Sequence, residues 1–239
     1  MDWELKKGLQ QQLEAERGYY RYPAGTRTRT ALVYPNSYFV GMSNLGFHII
    51  YDLLNKRPDV ACERAFLPDR QDITRYENTR TPVMTIESQT PLYEFSLLAF
   101  AVSFEMDYFN ILKLLELGRV KVRAAERGER DPILIAGGPC PTFNPEPLAA
   151  IFDAFIIGEA SHHAGAHGCV SGSAARGPDT GGDAAASCLR TGGLCTSLYE
   201  HHYAEDGTLA AIEPLPGAPG RSRVNGSRIL MPGRRIPLL

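Results

Sequence analysis

The sequence has no apolar run long enough to cross a bilayer. Its longest strongly apolar stretch, "SLLAFAVSF" at 96–104, falls far short of the roughly 20 residues that a spanning helix needs. No signal-peptide core is present either: the opening "MDWELKKGLQQQLEAERG" is charged throughout. There is little excess of one charge. Lys and Arg number 25 against 27 Asp and Glu, a net charge of −2, so no bulk attraction to nucleic acid or anionic lipid is expected. Cysteine is scarce, five in 239 residues, and no two of them stand in C-x2-C or C-x3-C spacing. A disulfide-stapled small scaffold is thereby excluded, and reduced thiols are expected. These absences point to a cytoplasmic protein without a membrane partner.

What is present is uneven. Over 1–160 the chain alternates apolar runs with amphipathic ones. Leu5, Leu9 and Leu13 recur at helical spacing and predict a short N-terminal helix. "TALVYP" (30–35), "VACERAFLP" (60–68), the weaker "PVMTIES" (82–88), "SLLAFAVSF" (96–104), "PILIAGG" (132–138) and "DAFIIGE" (153–159) read as strands. Between them, Leu45, Ile49 and Leu53 share one face of a helix capped by Ser43 or Asn44. "DYFNILKLLELG" (107–118) reads as a helix with an Asp107 cap and a Gly118 stop, and "EPLAAIF" (146–152) as a short helix. Strands alternating with helices predict an α/β fold, a Rossmann-like doubly wound, mostly parallel sheet over 28–160. Residues 1–27 form a helical extension. Ligands of such sheets bind at the carboxyl ends of the strands, here "PNSYFVGMSN", "SFEMDY", "GGPCPTFNPE" and "GEA".

After Ala160 the pattern stops. Within 161–195 only Val170, Leu189 and Leu194 are large aliphatics and no residue is aromatic, too little to offset the entropy of ordering. His162, His163, His167 and Cys169 stand close together, with Cys188 and Cys195 further on. Tetrahedral zinc sites pair ligands tightly twice over; one half-site is present and the second is missing, so no native metal site is expected. Residues 197–219 regain a pattern, two β-rich runs about an Asp-Gly turn, a hairpin signal. The tail beyond is basic and unpatterned.

Three stretches, "YPNSYFVGMSNLGFHIIYDLLN", "TIESQTPLYEFSLLAFAVSFEMDYFNIL" and "ILIAGGPCPTFNPEPLAAIFDAFIIGE", carry a resemblance. In order, over about 15–160 and again at 197–219, the chain resembles the N-terminal domain of cobalamin-binding-domain radical SAM proteins. The resemblance implies a cobalamin-binding-like domain preceding a barrel whose CxxxCxxC cysteines hold a [4Fe–4S] cluster that cleaves S-adenosylmethionine. Cys62, Cys140, Cys169, Cys188 and Cys195 do not match that motif, so neither cluster nor S-adenosylmethionine is expected on this chain, which reads as truncated before the barrel. Against the family pattern, 161–196 reads as a frame-shifted or low-complexity segment, and 197–239 as a hairpin-like remnant and tail, with a second slip near Val224.

For the crevice, the resemblance implies that Ser103 and the Gly137–Gly138 pair lie against the cofactor's nucleotide tail. The glycines read equally as a tight turn at a strand end. The D-x-H-x-x-G pattern of histidine-ligated cobalamin is missing, and His48 reads as a packed helix residue, so cobalamin would bind without a histidine from this loop. Loss of the cofactor with retention of the fold stays open. Asp107 and Glu105 read as a helix cap and its charge complement, Glu159 as a solvated strand end, and Cys140 as a thiol without a base. No catalytic residue is identifiable. Two other classes remain: a non-catalytic Rossmann-like domain binding a small ligand or a protein partner, and a stand-alone metal-binding protein using 161–195.

Overall fold

A computed structural model of the chain describes residues 2–23, 25, 27–158, 193–194, 199–206, 208–214, 221–224 and 227–230. The N-terminal helix α1 spans Trp3–Ala15, capped by Asp2, whose carboxylate accepts from the Glu4 and Leu5 amides; Leu5 and Leu13 are buried beneath it. The core is a parallel sheet of β1 (Thr28–Tyr34), β2 (Val60–Phe66), β3 (Leu97–Ala101), β4 (Ile133–Gly137) and β5 (Ala154–Ile156) in the order β2-β1-β3-β4-β5. A short antiparallel β6 (Gly193–Leu194) pairs with β5. The α/β, Rossmann-like expectation holds.

Strand alternation distributes the side chains to two cores. Ala31, Val33, Leu98, Phe100, Leu134 and Phe155 share one face with helices α4 (Arg70–Thr79) and α5 (Asp107–Leu117) through Tyr76, Ile111 and Leu114. Leu32, Tyr34, Leu97, Ala99 and Ile135 share the other with α1 and α3 (Leu45–Asn55) through Leu13, Phe47, Tyr51 and Leu54. Each large side chain so buried contributes about 1.5–3 kcal/mol.

At the edge strand β2 an ion network is buried. Arg64 donates from its Nε to Glu87 at 2.7 Å and from its backbone amide to the other Glu87 oxygen at 2.7 Å. The Tyr51 hydroxyl donates to Glu87 at 2.8 Å, and Arg64 Nη2 lies 2.7 Å from the Glu16 carboxylate. This network ties the chain after α1 and the 82–91 segment to the sheet.

Several expectations need correction. The 82–88 run is not a strand: it makes one isolated bridge, Met84 to Pro91, because the chain reverses at Gln89, whose φ is +50°, and the Thr85 and Leu92 amides donate across that turn to the Thr90 and Val83 carbonyls. The Leu45, Ile49 and Leu53 stripe is not the core face of α3. Phe47, Tyr51 and Leu54 are buried, whereas Leu45 and Ile49 are exposed; aromatic volume decides which of two apolar stripes faces inward. Asp107 does not cap α5: Met106 holds the cap position, and Asp107 is the first helical residue, buried. The 146–152 run makes only a 3₁₀ turn at Glu146–Leu148.

Three helices were not anticipated. They are α4, polar apart from Ile73 and Tyr76, and the five-residue α2 (Tyr38–Met42) and α6 (Pro139–Phe143). Asn44 is the cap of α3, accepting from the Phe47 amide, and Gly118 ends α5. The hairpin near 197–219 is present as β7 (Tyr199–Tyr203) and β8 (Leu209–Pro214), antiparallel. The tail read as unpatterned also pairs, β9 (Arg221–Val224) with β10 (Ser227–Leu230). No helix among the described residues is long and apolar enough to cross a membrane.

Candidate functional site

In the order β2-β1-β3-β4-β5, β1 and β3 are neighbours, paired from Thr30 with Leu97 to Val33 with Phe100. The chain leaves β1 toward β2 on one side and leaves β3 toward β4 on the other. The loops at their carboxyl ends therefore diverge, and the gap between them is the topological switch point where such sheets bind ligands.

Four polar side chains meet across this gap in two pairs. Asn36, two residues past β1, donates from Nδ2 to Asp107 Oδ1 at 2.8 Å, while its own Oδ1 accepts from the Ser37 amide. Asn44 donates to Ser103 Oγ at 3.3 Å and stands 3.5 Å from the Tyr34 hydroxyl. Ser103 accepts in that bond, which leaves its own hydroxyl hydrogen to donate. Asn110, one turn into α5, gives Asp107 Oδ1 a second donor at 3.0 Å. Among the described residues, Asp107 Oδ2 is buried and has no hydrogen-bond partner. A buried polar atom without a partner is uncommon in a folded protein and calls for an explanation.

The glycines stand one strand further on. A Cβ on Gly138 would lie 2.6 Å from the Val102 carbonyl oxygen, and its φ is +109°, a region that favours glycine. The turn expectation thus accounts for Gly138: the ends of β3 and β4 approach too closely for a side chain. Val102 donates to the Gly137 carbonyl at 2.8 Å, locking the two strand ends together. At Gly137 a Cβ would meet Ile156 at an ordinary 3.5 Å, so contacts do not demand glycine there.

His48 is half-buried in α3, its Nε2 2.8 Å from the Met42 carbonyl oxygen, and so is engaged by its own chain. Cys140, at the start of α6, is buried. Burial pushes its thiol up and the Glu105 charge adds to this, against a smaller opposing effect of the Tyr108 hydroxyl; it is no activated nucleophile. Burial raises Cys62 well above the usual thiol range. Exposed apolar side chains rim the crevice, Phe39 on α2, Phe104 and Met106 after β3, and Phe143 at the end of α6. None of the loops at 35–44, 102–107 and 137–146 contains a Lys or Arg. A cavity of about 240 Å³ lies elsewhere, between α1, the end of β2 and α4, lined in part by Leu9, Phe66, Pro68 and Tyr76.

Sequence reasoning named Ser103 but missed Asn36 and Asn44 as the residues that bridge to the β3 side. Their signal was position: two asparagines flanking the first loop after the first strand. Glu159 and the His/Cys segment at 161–192 lie outside the described residues, as does Cys195. Among the described residues no group of three or more His, Cys, Asp or Glu is placed to hold a metal ion.

The family described as radical SAM proteins, N-terminal, matches residues 46–168, just over half of the chain. The chain belongs to this family. The match takes in β2 to β5 and the β3 side of the crevice, and leaves out β1 and its loop with Asn36 and Asn44. An uncharacterized protein of Methanocaldococcus jannaschii is 27% identical over 129 residues, which are 54% of this chain and 23% of that protein. The matched stretch spans about a quarter of the relative's length. No solved structure matches.

Proposed function

We propose that this chain acts as a non-catalytic, ligand-binding N-terminal domain of a radical SAM protein, with a corrinoid of the cobalamin type as the ligand of its switch-point crevice. The single observation that carries this reading is the meeting of Asn36, Asn44, Ser103 and Asp107 at the divergence of β1 and β3, with one buried Asp107 oxygen left unpaired. The donor set suits a ligand edged with neutral amides, as a corrin ring is. It does not suit histidine ligation, since His48 is engaged by Met42.

In this reading Ser103 donates its hydroxyl hydrogen to the ligand, Asn44 fixes Ser103, and Gly137 gives backbone access at the end of β4. Gly138 serves the strand ends instead. The exposed Phe104 and Met106 exclude water from one side of the bound ring. A bound corrinoid would supply a cobalt centre that can accept and pass on an alkyl group. No cluster-based chemistry is proposed for these residues, because the five cysteines lack the family spacing.

The test is equilibrium dialysis against hydroxocobalamin, followed by visible spectra of the retained pigment. Retention is expected, without the spectrum of a histidine-ligated corrinoid and with no loss in His48→Ala. Absence of retention would sink the corrinoid reading. A second reading, a docking domain for a protein partner, is favoured by the exposed Phe39, Phe104, Met106 and Phe143 around the crevice. It predicts no pigment retained.

A further inference from the structure

We infer that Asp107 sets the ligand class of the crevice: it accepts a hydrogen bond from an amide N–H or hydroxyl of the ligand, and it turns away ligands anchored at the start of α5 by a terminal phosphate or a carboxylate. This rests on the crevice reading above and names what that site selects.

Three features converge on it. Asp107 is 2% exposed, and its two oxygens are treated unequally. Oδ1 accepts from Asn36 and Asn110, whereas Oδ2 has no partner among the described residues. A buried acceptor without a donor is costly, and more so when charged. A ligand donor reaching Oδ2 recovers that cost, which gives the site a built-in preference for ligands that carry one. Access requires the Asn36 bridge, or the exposed turn at Phe104–Met106, to give way.

The second feature is the start of α5. The N-terminus of a helix ordinarily attracts an anion, and phosphate-binding folds exploit this. Here the first helical residue is itself a carboxylate, so the protein fills that role from within. The amides of Asp107 and Tyr108 are also spent, donating to the Phe104 and Glu105 carbonyls at 3.1 Å each. The third feature is charge. Glu105 adds a second acidic group to the same turn, and the loops at 35–44, 102–107 and 137–146 contain no Lys or Arg to neutralise a phosphate. A phosphate would meet a carboxylate where it needs a donor. A neutral or cationic ligand with N–H or O–H groups meets an acceptor in want of one.

The experiment compares wild type with Asp107→Asn by equilibrium dialysis against two probes. One is dicyanocobinamide, a corrinoid edged with amides and lacking the nucleotide phosphate; the other is FMN, a flat ligand ending in phosphate. Wild type is expected to bind cobinamide at least about tenfold more tightly than FMN, and Asp107→Asn to weaken cobinamide by about tenfold, the size of one hydrogen bond to a charged group. A melting temperature near that of wild type verifies that the variant folds. Should Asn lose the fold, Asp107→Ser, which keeps a small polar group at the first helical position, carries the same expectation. Equal cobinamide affinity in wild type and variant would mean that Oδ2 is met by a buried water only; it overturns this inference and leaves the crevice reading standing. Tighter binding of FMN overturns the donor preference. Failure of wild type to bind either probe overturns the inference and the crevice reading together.

Discussion

Two buried carboxylates, Glu87 and Asp107, are each 2% exposed, yet their surroundings differ in kind. Glu87 has both oxygens occupied, one by Arg64 Nε and the Tyr51 hydroxyl, the other by the Arg64 amide. Its cation is buried with it. Among the described residues, Asp107 has two amide donors on one oxygen, none on the other, and no ion-pair partner. The first carboxylate is fully paired, and it welds α3, β2 and the 82–91 turn together. The second is open, and it stands at the one place in the sheet where the topology diverges. A buried charge alone does not mark a functional site; an unmet partner at a switch point does.

Breaking the closed network should cost most. Glu87→Ala removes one of the two carboxylates on the buried Arg64 guanidinium and leaves Glu16 at Nη2; a loss of about 3–5 kcal/mol is expected in urea unfolding. A loss below about 1 kcal/mol would mean that water reaches Arg64 and that the network is not structural. Next comes Gly138→Ala. The added Cβ meets the Val102 carbonyl at 2.6 Å, and with φ at +109° it should destabilise by about 1–3 kcal/mol, whether or not a ligand binds.

Asp107→Asn should cost far less than Glu87→Ala, within about 1 kcal/mol of wild type. The remaining oxygen still accepts from Asn36 and Asn110, and no buried cation is orphaned. A cost as large as that of Glu87→Ala would erase the distinction between the two sites.

A third carboxylate sharpens the comparison at the surface. Hydrogen bonding to Arg75, with smaller help from the Glu4 and Leu5 amides, holds the Asp2 carboxyl below its ordinary value of 3.8. Because the folded value is lowered, the stabilisation is fully present above the ordinary value and is lost as pH falls through the folded one. The stability difference between wild type and Asp2→Asn should therefore vanish in acid below that range and be constant near neutrality. The smallest effect is expected from Leu45→Gln on the exposed face of α3, within about 0.5 kcal/mol.

Much of the fold was legible because parallel strands buried on both faces read as continuous apolar runs; "SLLAFAVSF" and "PILIAGG" located β3 and β4. The 82–88 run misled because alternation cannot foretell that the chain will reverse at Gln89. The α4 helix escaped because "RQDITRYENT" buries only Tyr76, leaving no apolar period to detect. In α3 the sequence offers two apolar stripes, and periodicity alone does not say which one the sheet takes. For the crevice, Ser103 was placed by resemblance and by the rule for strand ends. The bridging by Asn36 and Asn44, and the unpaired oxygen of Asp107, depend on register between β1 and β3, which no local pattern encodes.

The most direct measurement is amide hydrogen exchange with and without saturating hydroxocobalamin. Slowed exchange confined to residues 36–44, 102–110 and 137–142 is the result expected if the β1/β3 divergence is the ligand site. Slowed exchange around the cavity between α1 and α4, or no change anywhere, would contradict it.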